Sequence, residues 1–148
     1  MSAKNLNLIK RIQKDLCDKL GLILVPIKVE DINDAAQLRL KENCIVISKR
    51  ILDDELQSIA AIVHELRHEY QILSIYDDDP DEPLRNEWEK DFKDSNAKDI
   101  HSSVELDAYS FEKYYIRKKY NLDYKFDNIE LDKLTDEYIN NNLIKLDI

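Results

Sequence analysis

A chain of 148 residues, 43% of them apolar, can bury a core without disulfide or metal staples, and it reads as one domain spanning residues 1–148. With 31 acidic against 22 basic residues the net charge is −9, which repels phosphate backbones and argues against direct binding of DNA or RNA. No run of about twenty apolar residues is present, and the polar-interrupted start from Met1 to Lys14 lacks the apolar stretch of a signal peptide, so the expectation is a cytoplasmic chain that stays out of the membrane.

Leu6, Ile9, Ile12, Leu16 and Leu20 recur at three- and four-residue spacing and predict an amphipathic helix over Asn5 to Leu20, closed in the left-handed conformation by Gly21, the one glycine in the chain. Leu22 to Val29 is branched and apolar, too short for a helix around Pro26, and reads as a strand with the proline at an edge or bulge. Asp31 to Asp34 makes a turn. Ala36, Leu38 and Leu40 then alternate with polar residues, and beyond Lys41-Glu42-Asn43 the segment Cys44 to Ser48 is again strand-like, giving a hairpin and a sheet of about three strands. Cys17 and Cys44 form no Cys-x-x-Cys pair and are expected to be reduced, partly buried apolar residues.

Asp53 or Asp54 can cap a long helix reaching towards Tyr76, with Ile59, Val63, Leu66, Tyr70 and Leu73 on its core side. The run Asp77-Asp78-Asp79-Pro80-Asp81-Glu82-Pro83 ends it as a solvated loop. A short helix with Trp88 over Leu84 to Phe92, a polar break over Lys93 to Lys98, a helix marked by Val104, Ala108, Phe111 and Tyr115, and a last helix near Leu131 to Asn141 complete the chain. The fold class is α+β.

The chemistry concentrates in His64-Glu65-Leu66-Arg67-His68. Two imidazoles four residues apart share one helix face and offer zinc two neutral nitrogen donors without bending the backbone, while Glu65 beside the first can take a proton from water at the ion. Only three histidines exist and two stand here; the preceding Ile59, Ala60, Ala61, Ile62 and Val63 imply a buried helix, where imidazoles need partners.

A third donor must come from downstream. His101, Glu105 and Asp107 cluster at the start of the helix after the polar break. Glu105 is the preferred ligand, with small Ala108 allowing close approach of that helix; Ser102-x-x-Glu105 is also a capping box in which Glu105 would only bond back to the helix start. Asp107, about 200° round the helix from Glu105, is the alternative ligand or a supporting acid, since both cannot point at one ion. His101 would share the face of Glu105 if the helix extends that far back, and is a candidate donor to the oxyanion of a tetrahedral intermediate; Tyr109, one turn beyond Glu105, is a second.

These residues resemble the gluzincin-type zinc metallopeptidases, and the order of helix, short sheet, motif helix and Glu-x-x-Ala helix over roughly Leu22 to Tyr120 resembles the small cytoplasmic ImmA/IrrE-type peptidases. The resemblance implies a minimal zincin-like domain, Zn2+ as cofactor, His64, His68 and Glu105 as ligands, Glu65 as general base, and a protein or peptide substrate, in several members a transcriptional repressor. Tyr109 stands where related motifs carry Asp or Asn. The reading is a zinc-dependent peptidase whose substrate lies extended along an edge strand, Cys44 to Ser48 being preferred; a catalytically silent zinc-binding interaction or sensor module is the alternative, and a metal-free helical interaction domain a further one.

Overall fold

A computed structural model describes residues 2–77, 82–93 and 99–148. They form an α+β arrangement in two compact units, Met1–Glu69 and Tyr70–Ile148. The acidic run expected as a loop and the polar break after Lys93 lie largely outside the described residues. Among those residues, no helix is long and apolar enough to cross a membrane.

The first unit opens with α1 (Ser2–Leu20). Its buried stripe is Asn5, Ile9, Ile12, Gln13, Leu16 and Cys17, rotated from the apolar pattern so that Leu6 and Leu20 are only half-buried. The rotation is explained by two amides: Asn5 donates to the carbonyl of Leu52 at 2.6 Å and Gln13 to that of Val25 at 2.7 Å, and such buried carbonyls must be satisfied. Gly21 closes the helix at φ +69°, and the Leu22 N–H returns to the Cys17 carbonyl at 2.9 Å, a Schellman closure.

The sheet follows, as β1 (Ile27–Glu30), β2 (Ala36–Arg39) and β3 (Cys44–Ser48). The strand expected over Leu22 to Val29 is shorter, because Leu22 to Val25 spend backbone groups on α1 and Pro26 has no N–H; the Pro26 carbonyl alone joins the ladder, accepting from Ile45 at 3.0 Å. β2 and β3 form the anticipated hairpin, with Asn43 at φ 53° in its loop. The order is β1-β3-β2, with β1 parallel to β3 and β2 antiparallel to it. β3 is therefore central and buried along its whole length, not an edge, so Cys44 to Ser48 has no free ladder on which to add a peptide. An uninterrupted apolar run is what a strand covered on both faces looks like.

A 3-10 turn over Lys49–Asp53 buries Ile51 and Leu52 and leads into α2 (Glu55–Tyr76). Of the two candidate caps, Asp54 serves: its carboxylate accepts from the Gln57 N–H at 3.0 Å, and that bond holds its pKa below the usual range. Ser58 to Val63 are buried without a break, as expected for a helix with little polar face.

The second unit takes the last turns of α2 and adds α3 (Arg85–Lys93), α4 (Ser103–Tyr120) and α5 (Ile129–Tyr138), the last prolonged by a π-helical turn to Leu143. Trp88, Val104, Ala108, Phe111 and Tyr115 are buried as the periodicity required. Ser102 caps α4, accepting from the Glu105 N–H at 3.2 Å; Asn128 caps α5, accepting from the Leu131 N–H at 3.0 Å. Lys113, wholly buried, has no counterpart in the sequence reading. Its ammonium reaches Asp132 at 2.6 Å, Asp136 at 2.8 Å and the Thr135 hydroxyl at 3.2 Å, tying α4 to α5.

Candidate metal centre

Because α2 is an unbroken helix from Glu55 to Tyr76, the His-x-x-x-His spacing acts as it does in any regular helix, and the two imidazoles come onto one face. Their ring centroids are 4.8 Å apart with planes at 80°, edge to face. The Glu65 carboxylate joins them: His64, Glu65 and His68 each offer a donor atom, and these atoms all lie within 4.8 Å of one another. Both histidines are half-buried and Glu65 is buried. A tetrahedral zinc site needs donors about 2.0–2.1 Å from the ion, hence a little over 3 Å from one another, against the 4.8 Å that bounds this group. Two imidazole nitrogens and a carboxylate are the borderline donors zinc takes, so the group fits such an ion.

Glu69 was not singled out by the sequence. It follows His68, is 7% exposed, and neither carboxylate oxygen has a hydrogen-bond partner among the described residues. Burial pushes its pKa up to about 7, opposed in part by the nearby backbone N–H of Ile23, which falls short of hydrogen-bond geometry. Cys17 is near enough to feel it: the thiol is pushed up to about 11, first by its own burial and then by the Glu69 charge. Both Cys17 and Cys44 are buried and unbridged.

The downstream candidates stand as follows. Ser102 is the cap of α4, so the helix begins at Ser103 and His101 precedes it, outside the helical face on which Glu105 lies. His101 is exposed, and its Nε2 is 3.0 Å from the Glu130 carboxylate on the first turn of α5. Glu105 is half-buried on the first turn of α4, where its N–H donates to the Ser102 hydroxyl and so fulfils one arm of the capping box; the Ser102 N–H donates to the Asp99 carbonyl at 2.9 Å. Asp107 is wholly buried, accepting from the Tyr138 hydroxyl at 2.7 Å and from Gln71 at 2.8 Å. Tyr109 stacks edge-to-face on Phe126 at 5.5 Å, a packing contact.

Periodicity finds His64, Glu65 and His68 because a single helix brings them together. No short-range pattern marks Glu69, Gln71 or the burial of Asp107, which depend on what surrounds each helix. No family model, curated protein or solved structure matches this chain.

Proposed function

We propose that this protein is a zinc-dependent metallopeptidase that hydrolyses a peptide bond in a protein or peptide substrate. The observation that carries the reading is the His64-Glu65-His68 group, three potential donors on adjoining positions of one buried helix. His64 and His68 would hold the ion, and the third donor would come from the start of α4, where the sequence nominates Glu105. When bound, zinc supplies Lewis acidity for the scissile carbonyl and brings water into its ionisable range.

The remaining chemistry belongs to the chain. Glu65, buried beside the imidazoles, takes the proton of the attacking water and returns it to the departing amine, which leaves as a neutral group. His101, paired with Glu130, is given no step. Two unbridged, buried thiols suit a reducing compartment and support a cytoplasmic setting for the proposed activity.

Glu65→Gln keeps the shape of the side chain and removes its basicity. Purified variant and wild type should carry equal zinc by elemental analysis, while cleavage of an unfolded protein substrate falls by about 10³-fold or more, the scale associated with losing a general base. Wild-type protein that holds zinc but cleaves no better than the variant would make this a binding module.

A further inference from the structure

Among the described residues of the first unit, Glu65 and Glu69 are the buried acids, and the proposed chemistry uses only Glu65. The two are four residues apart on α2, hence about 40° from each other round the helix and about 6 Å along it. Glu69 is 7% exposed, and neither of its oxygens has a hydrogen-bond partner among the described residues. A carboxylate left so is costly, and an arriving cation removes the cost. Two further elements of the first unit meet at it. The Ile23 N–H, in the segment between α1 and β1, lies near the carboxylate, and the Cys17 thiol on the last turn of α1 feels its charge and donates to the Ile23 carbonyl at 3.8 Å. Ile23 and Leu24 meanwhile turn their side chains to solvent, 63% and 61% exposed, so two branched apolar side chains stand uncovered beside a buried acid.

From this juxtaposition we propose that Glu69 is a specificity-determining residue that takes the charged head of a Lys or Arg side chain of the substrate, with Ile23 and Leu24 packing on its stem. The inference rests on the metallopeptidase reading above and names the class of peptide its site accepts. Long basic side chains suit both halves of the feature, because their methylene stems prefer apolar surface while their heads seek an anion. A neutral side chain would cover Ile23 and Leu24 but leave the carboxylate bare. Glu69 lies one helical turn from Glu65 and a peptide advances about 3.3–3.6 Å per residue, so the basic residue falls one or two positions from the bond that is cut.

The test uses zinc-loaded full-length protein and a pool of peptides blocked at the amino terminus, with cleavage sites mapped by mass spectrometry, followed by kcat and KM for a matched pair that carries lysine or acetyl-lysine at the preferred position. Wild type should favour lysine over acetyl-lysine in kcat/KM by about tenfold or more, mostly through KM, the scale of a charge-assisted hydrogen bond. In Glu69→Gln that ratio should fall to about one, and because it is a ratio, a general loss of activity does not imitate the result. Should Glu69→Gln fail to fold, Ile23→Lys carries the test: at an exposed position it sets an ammonium beside the carboxylate and should abolish the preference in the same way. A wild-type ratio near one, a preference that survives in Glu69→Gln, or cleavage only of peptides with a free amino terminus overturns the assignment. Wild-type protein that holds zinc and cleaves no peptide overturns the metallopeptidase reading itself, and is told apart because it appears before any pair is compared.

Discussion

Two buried ionisable groups, one in each unit, are treated in opposite ways. Lys113 in the second unit is wholly enclosed, yet its ammonium has Asp132, Asp136 and Thr135 around it, and the positive charge holds the Asp132 carboxyl below its usual pKa, helped by the Phe126 N–H. Glu69 in the first unit is nearly as deeply buried, has no hydrogen-bond partner among the described residues, and lies next to His68. A saturated buried charge pins two helices; an unsatisfied one is a cost that stability alone does not select. The first unit thus carries the cost of its buried carboxyl, where the second offsets the cost of its buried ammonium.

Charge divides in the same way. Residues Met1–Glu69 hold 11 basic and 11 acidic side chains, whereas Tyr70–Ile148 hold 11 basic and 20 acidic, so the whole net charge of −9 belongs to the second unit. A basic segment of a partner would be drawn to the second unit, and the neutral first unit would add no steering of its own.

The comparison is broken most directly by removing a proposed metal ligand. His64→Ala should weaken zinc by more than about a hundredfold, and amide hydrogen exchange should slow on zinc addition in α2 of the wild type but not of the variant. If zinc protects both proteins equally, the ion binds elsewhere and the contrast between the units loses its functional meaning.

Lys113→Ala removes the cation from the α4–α5 contact and should cost roughly 3 kcal/mol in denaturant unfolding, with hydrogen exchange rising first in α5. The same contact gives an acid limb. With the Asp132 pKa lowered in the folded state, its contribution is present above the unfolded value near 3.8 and is lost as the pH falls through the folded value. Lys113→Ala should flatten that limb, and an unchanged acid profile would remove Asp132 from the account.

Glu69 predicts the reverse slope. Its folded pKa of about 7 lies above the ordinary value of 4.5, so the native state holds the proton more tightly than the unfolded chain. Stability from this group is complete below 4.5, declines between 4.5 and 7, and is absent above. In chelator, Glu69→Gln should therefore stabilise the protein by roughly 2 kcal/mol at pH 8 and leave it unchanged at pH 4. Equal effects at both pH values would show that shape, not charge, sets the cost.

The smallest effect is expected at His101. Its pair with Glu130 is exposed, so His101→Ala should change stability by less than about 1 kcal/mol and leave zinc affinity untouched. A variant that keeps zinc but loses cleavage would return His101 to the catalytic group.

Local features were legible in the chain itself. Helix phase follows from a 3.6-residue repeat, so His64 and His68 share a face wherever α2 is placed, and Gly21 and Asp54 act on backbone groups within a few residues of themselves. The β2–β3 hairpin was equally accessible, because its two strands are joined by a short loop. Which strand is central was not: Cys44 to Ser48 reads the same at an edge or in the middle, and only the parallel pairing with β1 decided it. The burial of Lys113 and Asp107, the bare carboxyl of Glu69, and the placing of Gln71 against α4 were likewise settled by tertiary structure. Sequence fixes the direction of a side chain relative to its own helix through local sterics and hydrogen bonds; what meets it there is set by residues tens of positions away, whose pairing leaves no periodic trace.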